Sequence, residues 1–350
     1  MLISVVAPCR NEAGHVERFV AEVFRQRLPP GLALELLISD GRSTDGSREK
    51  LEAMAAAEPR LRLLDNPRGL TPAGLNVAIR QARGEVVVRM DLHTLYAPDY
   101  IAECVAALER SGADNVGGPW KPFGSGPTGV AIALAFSSRW VSGGGRAHDP
   151  HYEGEVDTVY LGCWRRETLL RLGLFDEEQV RAQDSELNLR IVLSSGRIWQ
   201  TPRIRSWYRP RERLRDLFRQ YVQYGYWKVA TLAKHKRPAS VRQLVPGVFL
   251  AVLVLLLTAS LAEPRAALVA ATLVAIYAIG SVGAAAQVCH SSDRWDLFPR
   301  LPGVFAAFHF GFGYGYLRGL VDFFVLRREP GRGFTRLTRP ALPGKDGGGN

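Results

Sequence analysis

The chain has 350 residues, 47% of them hydrophobic, and its 45 Lys and Arg against 34 Asp and Glu give a formal charge of +11. That length allows one large domain or two smaller ones with a sizeable core; the four cysteines (Cys9, Cys104, Cys163, Cys289) have neither paired metal spacing nor a disulfide-dense pattern, so reduced thiols are expected. The positive balance suits nucleic acid or an anionic membrane surface, but the arginines crowd beside apolar spans and no nucleic-acid motif occurs, which sets nucleic acid aside.

The start, "MLISVVAPCRNE", is too short an apolar run for a signal peptide and lacks a small-residue cleavage region, so the first domain is expected on the cytoplasmic side. Strand and helix patterns then alternate. "LISVVAP", "LALELLISD", "RLRLLDN" and "EVVVRMD" read as strands; "GHVERFVAEVFRQR", "STDGSREKLEAMAAA" and "LTPAGLNVAIRQA" read as helices, the second opening on a capping Ser or Thr, the third with Thr71 as N-cap and Pro72 at its first position. This alternation predicts an α/β fold, a parallel sheet covered by helices on both faces, with ligands beyond the carboxyl ends of the strands.

Three of those ends are polar: "PCRNE" (Pro8 to Glu12), "SDGRSTDGS" (Ser39 to Ser47) and "DLH" (Asp91 to His93). An ordinary strand-to-helix turn accounts for the Gly, Ser and Thr of the second but not for Asp40 before it. No G-x-G-x-x-G follows the first strand, which removes the main support for a dinucleotide site. Asp91 and His93 share a side if the chain stays extended, and a carboxylate with an imidazole can hold a divalent cation whose shell phosphate and water complete. Alone, "DLH" reads more plainly as the start of a solvated loop; the other two clusters tip the balance.

Further along, "AQDSEL" opens a helix with Asp184 at the N-cap and Glu186 favoured by the dipole. Arg209 to His235 is amphipathic, basic on one side and aromatic on the other, and suits a helix in the headgroup plane. Leu244 to Val288 is nearly free of charge except for "EPR" at 263–265, which predicts a transmembrane hairpin; the rival is a helical hairpin buried in a soluble core. Leu301 to Leu326, carrying His309, Arg318 and Asp322 among aromatics and glycines, suits an interfacial or re-entrant helix pair better than a simple span. The expected layout is 1–204 catalytic, 205–240 interfacial, 241–288 hairpin, 289–326 third apolar segment and 327–350 basic flexible tail.

Taken together, "SVVAPCRNE", "ISDGRSTDGS", "GLTPAGLNVAIRQARGEVVVRMDLH" and "AQDSELNLRI" resemble family 2 glycosyltransferases of the nucleotide-sugar-binding GT-A fold, over roughly Leu2 to Trp227. With the apolar hairpin and "RQYVQYGYWK", the chain is most similar to membrane-anchored enzymes of bacterial exopolysaccharide assembly, including the succinoglycan type.

The resemblance implies that Pro8, Arg10, Asn11, Glu12 and Ser43 border the nucleotide, that Asp40 accepts a hydrogen bond from its base, and that Asp91 is the first acid of the D-x-D motif. His93 stands where the second acid is usual, which eases acceptance of Mn²⁺ and leaves Mg²⁺ open. Asp184 falls at the general base; Gln183 stands where a glutamate is common. Gly162, Arg165 and Arg166 correspond to the acceptor and sugar pocket, although the two arginines equally open a helix with Leu169, Leu170 and Leu172 on its apolar face. Gln220, Tyr224 and Trp227 correspond loosely to the Q-x-x-R-W segment of processive members, without its arginine.

The implied activity is inverting, cation-assisted transfer from a nucleoside diphosphate sugar, UDP by default and GDP as the other option, to a polyprenyl-diphosphate-linked saccharide. The setting is the inner face of a bacterial plasma membrane, in contact with lipid and within reach of a polysaccharide-assembly complex. The alternatives are a polyprenyl-phosphate sugar synthase and, from another class, a non-catalytic nucleotide-sugar-binding subunit.

Overall fold

The computed structural model describes residues 1–238 and 240–335. In chain order it contains β1 (Leu2–Cys9), α1 (Val16–Phe24), β2 (Ala33–Asp40), α2 (Ser47–Ala57), β3 (Leu61–Asp65), α3 (Thr71–Gln81), β4 (Val86–Arg89), β5 (Leu95–Tyr96), α4 (Tyr100–Ser111), β6 (Asn115–Gly118), α5 (Gly126–Ser137), α6 (Arg139–Ser142), β7 (Gly154–Glu155), β8 (Tyr160–Arg165), α7 (Arg166–Arg171), α8 (Gln183–Leu193), β9 (Ile198–Gln200) and β10 (Ser206–Trp207). There follow α9 (Leu214–His235), α10 (Val245–Ala259), α11 (Pro264–Ser292), α12 (Leu301–Leu320) and α13 (Arg332–Thr335). Among the described residues, 1–121 and 149–208 form one compact unit; 122–148 and the described residues from 209 to 335 form a second.

The first unit is an α/β layer structure around an eight-stranded sheet of order β3-β2-β1-β4-β8-β6-β9-β7. Alternation of apolar residues on both faces builds it. Ile3, Val5 and Ala7 of β1, Leu36 and Ile38 of β2, and Val86 and Val88 of β4 point into one core with Phe19, Val20, Ile101 and Val105 of α1 and α4. Val6, Leu37 and Val87 point the other way, against Leu75 and Ile79 of α3 and Leu187 and Ile191 of α8. Each of these buried side chains contributes about 1.5–3 kcal/mol by leaving water, so a one-residue slip of register would turn both cores inside out.

The first four strands are parallel as expected, with Cys9 level with Asp40 and Val6 with Arg89. The sheet as a whole is mixed, because β8 enters from the carboxyl end and runs antiparallel between β4 and β6. The expected caps move by one or two residues. Gly46, at φ 86°, is the N-cap of α2, and Leu70 that of α3, leaving Thr71 and Pro72 in its first turn. Ala182, at φ 56°, caps α8, so Asp184 lies at the second helical position instead of the N-cap.

The second unit is helical. Its apolar α5 places Pro122–His148 here, outside the sheet unit to which the 1–204 boundary assigned it. The helical stretches Val241–Ala259 and Pro264–Ser292, of 19 and 29 residues, are long and apolar enough to cross a membrane. They are joined by a turn in which the Glu263 carboxylate accepts from the Arg265 N–H at 3.1 Å. The hairpin is not hidden in a core: Leu255, Leu268 and Ile279 are 68–73% exposed.

The third apolar segment is one continuous helix, α12, and not a re-entrant pair. Its glycines let neighbouring helices approach at backbone distance. A Cβ at Gly315 would fall on the Val222 carbonyl of α9, one at Gly311 would lie 2.9 Å from that of Phe218, and one at Gly313 would lie 2.6 Å from the Pro246 carbonyl of α10. Small residues at helix spacing permit this packing, as between helices in lipid. The polar groups of α12 are partnered inside the unit: Arg318 with Asp322 at 3.0 Å, Asp322 with the Tyr226 hydroxyl at 3.0 Å, and His309 with Tyr277 at 3.1 Å. The expected tail beyond residue 335 and Ala239 of the expected interfacial region lie outside the described residues.

Candidate active site

The carboxyl ends of β1, β2 and β4 bring the three polar clusters together. Asn11 turns the chain after β1 in the left-handed region, at φ 55°, a conformation asparagine tolerates better than most residues. That turn aims its backbone N–H at the Ser43 hydroxyl (2.9 Å) and its side-chain carbonyl at the Thr44 N–H (2.8 Å). The Glu12 N–H donates to the Ser47 hydroxyl at 2.8 Å, and the Ala13 N–H to Asp45 at 3.1 Å. Burial acts to raise the pKa of Asp45, but the donors from Ser47 and Ala13 outweigh it and hold the carboxylate below its ordinary range. The loops after β1 and β2 are thus laced into one wall.

Asp40 closes the floor of that wall. It is fully buried; one oxygen accepts from the Ser43 N–H at 3.2 Å and faces Arg48 at 3.4 Å, while the other has no hydrogen-bond partner among the described residues. A buried acceptor left open calls for a donor. Pro8 sits in β1 opposite Ser39, and the exposed Arg10 reaches across to donate to the Gly69 carbonyl at 2.8 Å.

At the end of β4, Arg89 grips Asp91 with a fork, Nε to Oδ1 at 3.0 Å and Nη2 to Oδ2 at 3.1 Å. The Asp91 N–H donates to the Tyr96 hydroxyl at 2.6 Å, fixing the backbone as well. His93 Nδ1 lies 3.0 Å from Glu12 Oε1. In the neutral ring this arrangement puts the proton on Nδ1 and leaves Nε2 as the acceptor, the tautomer that a metal-ligating histidine adopts when a carboxylate orients it. Glu12 therefore faces His93, a role the sequence did not suggest. No cluster of three or more His, Cys, Asp or Glu able to hold a metal occurs among the described residues. The donor set fits a cation bound through one or two side chains plus phosphate oxygens and water.

Asp184 lies in the first turn of α8 with Oδ1 accepting from the Ser185 N–H at 2.9 Å, and its charge reaches Arg89. Burial alone would lower the pKa of the Arg89 guanidinium; Asp91 and Asp184 outweigh that and raise it. Gln183 is the first residue of the same helix.

The remaining expected residues have other places. Gly162 (φ 118°) is required because a Cβ would strike the Trp164 ring and approach Asn115 Oδ1 at 2.8 Å, so its need is internal packing. Arg165 pairs with Val86 at the opening end of β4, and Arg166 donates to the carbonyls of Ile79 and Arg80 at 3.4 Å, closing the end of α3. Both lie at the opposite edge of the sheet from Asp91. Gln220, Tyr224 and Trp227 belong to α9 of the second unit; Gln220 donates to the Tyr224 hydroxyl at 3.0 Å, and the Trp227 ring, 2% exposed, donates to the Phe334 carbonyl at 3.0 Å. A ring buried in this way offers no sugar platform.

The first unit holds a half-buried aromatic cluster of its own. Trp120, Tyr160 and Tyr208 cluster with centroids 5.6 and 5.8 Å apart, and the Tyr160 hydroxyl meets Thr94 at 2.9 Å and feels the Asp91 charge. They come from three separate segments, and only their aromatic type marks them in the sequence.

The Glycosyl transferase family 2 model matches residues 4–165. The chain is 32% identical to the succinoglycan biosynthesis protein ExoA of Rhizobium meliloti (strain 1021), covering 91% of this chain and 95% of that one. It is 23% identical to a Methanococcus voltae dolichyl N-acetyl-alpha-D-glucosaminyl phosphate 3-beta-D-2,3-diacetamido-2,3-dideoxy-beta-D-glucuronosyltransferase, over 91% of this chain and 97% of that protein. Among solved structures, the mannosyltransferase PcManGT from Pyrobaculum calidifontis, in complex with GDP-Man and Mn²⁺, superposes with a TM-score of 0.57 at 23% identity, covering 91% and 87% of the two chains.

Proposed function

Because the chain belongs to glycosyltransferase family 2, we propose that it transfers a sugar, with inversion, from a nucleoside diphosphate sugar to a polyprenyl-diphosphate-linked saccharide during exopolysaccharide or envelope glycan assembly. The observation that carries this reading is the joining of three strand ends into one polar wall holding an open buried acceptor, Asp40 Oδ1, beside the Arg89–Asp91–His93 corner.

Asp40 receives the donor's base, and the two loops carrying Asn11 and Ser43 line its ribose. Asp91 and His93 Nε2 would hold Mn²⁺ or Mg²⁺ together with the diphosphate, and a cation bound there would supply charge neutralisation for the leaving group. Asp184 takes the proton of the acceptor hydroxyl as that oxygen attacks the anomeric carbon from the face opposite the diphosphate. One displacement without a covalent sugar–enzyme bond inverts the centre. Trp120, Tyr160 and Tyr208 offer their faces to sugar rings.

The exposed apolar hairpin supports a membrane setting: side chains such as Leu268 and Ile279 are stable there and costly in water. The basic run "KHKRPASVR" before it argues for a cytoplasmic catalytic unit. The role of the Rhizobium meliloti relative in succinoglycan biosynthesis supports exopolysaccharide assembly, and the dolichyl-linked sugar phosphate on which the Methanococcus voltae relative acts supports a lipid-linked acceptor.

The test uses purified protein in detergent with a panel of UDP- and GDP-sugars, Mn²⁺ or Mg²⁺, and lipid-linked saccharides. Release of one nucleoside diphosphate matched by a glycosidic bond that survives mild acid is expected. An acid-labile product on a lipid phosphate would instead identify a polyprenyl-phosphate sugar synthase, and no turnover of any donor would overturn the reading.

A further inference from the structure

Arg89 is charged and 5% exposed at the end of an otherwise all-valine strand. Two of its nitrogens are spent on Asp91, whereas the third, Nη1, is buried with no hydrogen-bond partner among the described residues. A buried guanidinium N–H without a partner is costly, and its presence points to a second arrangement in which it is used.

The charges explain what the second arrangement serves. With its fork closed, the Arg89–Asp91 pair is neutral and both oxygens of Asp91 accept from the guanidinium. His93, where an acid might stand, adds no negative charge in its neutral form. A divalent cation approaching alone must break a charge-assisted bidentate bond and sit beside a buried positive charge. A cation arriving with a diphosphate brings its own counter-charge and meets no such opposition.

We propose that Arg89 is a positioning residue that holds Asp91 as a resident counter-cation until the donor arrives, so that the metal loads only together with the nucleoside diphosphate, and that the guanidinium then shifts to an arrangement in which Nη1 is used. This rests on the reading of Asp91 and His93 as metal ligands. It makes the site ordered: no tightly held resident metal, and Asp91 released to the cation only when the donor arrives.

The test is Mn²⁺ binding, not turnover. Free Mn²⁺ is measured by electron paramagnetic resonance against the full chain in detergent, with and without UDP or GDP, subtracting the nucleotide–metal complex alone. The parent protein binds Mn²⁺ at least about tenfold more tightly with one of the nucleotides than without, the usual scale for groups that tune a metal ligand. Arg89→Gln binds nucleotide-free Mn²⁺ about tenfold more tightly than the parent. Arg89→Lys keeps the charge, loses the fork and falls between; it carries the test if Arg89→Gln fails to unfold cooperatively.

Equal Mn²⁺ affinity of the parent with and without nucleotide overturns the inference, as does a folded Arg89 variant that binds nucleotide-free Mn²⁺ no tighter than the parent. Absence of any Mn²⁺ binding to the parent with either nucleotide overturns the metal reading itself and the inference with it. Those two failures are therefore distinguishable.

Discussion

The two units of this chain use their special residues in opposite ways. In the sheet unit the decisive groups are side chains that reach across loops: Asn11 to Ser43 and Thr44, Glu12 to His93, Arg89 to Asp91. In the helical unit the decisive feature is the absence of side chains, at Gly311, Gly313 and Gly315, where backbones meet. The difference teaches where each kind of substitution acts. Truncating a solvent-accessible polar side chain in the first unit should alter chemistry with little effect on stability, and adding a side chain in the second should alter stability before chemistry.

The largest expected effect, and one that cuts across this contrast, is that of Asp91→Asn, which should lower turnover about 10²–10³-fold, the scale of removing one group that stabilises developing charge, and also lower the melting temperature, because it leaves the buried Arg89 without its counter-charge. Next comes Gly315→Leu, which should destabilise by at least about 1–3 kcal/mol through overpacking on Val222, read by thermal unfolding in detergent. Gly303→Ala sharpens it, because nothing lies within 4 Å of a Cβ there, and a helix interior gains about 0.5–1 kcal/mol from that change.

Trp120→Ala tests the aromatic wall; a loss of about 1–3 kcal/mol of stacking, an estimate borrowed from base–aromatic contacts, should appear as a raised KM for a sugar substrate with kcat nearly kept. The smallest expected effect is at Asp45. Its folded pKa lies below its unfolded value of about 3.9, so its contribution is present above that unfolded pKa and is lost as pH falls through the folded one. Asp45→Asn should therefore flatten the acid limb of the stability–pH curve and lower stability near pH 7 by a small amount that does not vary with pH there.

Much of the fold was legible because alternation and helical periodicity are local. The four parallel strands and the helices between them follow from "LISVVAP" and its successors almost residue by residue. The antiparallel β8 was not legible, since direction is set by where the chain re-enters and not by the apolar pattern of "YLGCW". Pro122–His148 was assigned by its position in the chain, whereas its apolar helix belongs with the other apolar helices.

At the site, Asp40, Asp91 and His93 stood out as polar residues at strand ends, and the structure gathers Asp40, Asp91 and the Asn11–Ser43 loops at one edge. Arg165 and Arg166 misled because β8 is antiparallel, which carries its last residues to the far edge of the sheet. Trp227 misled because an aromatic in an amphipathic pattern does not reveal which face a neighbouring segment covers. Arg89 carried a signal that went unused: a single charge inside a buried valine strand needs a partner, and Asp91 two residues on shares its side of the chain.

Asp184 is proposed to serve the acceptor, and the Asp40–Asp91 wall the donor. The most direct measurement compares Asp184→Asn with the parent for nucleoside diphosphate binding and for sugar transfer on the same preparation. The account predicts unchanged nucleotide affinity and transfer reduced about 10²–10⁴-fold, the range for a general base; unchanged transfer, or lost nucleotide binding in a folded variant, would contradict it.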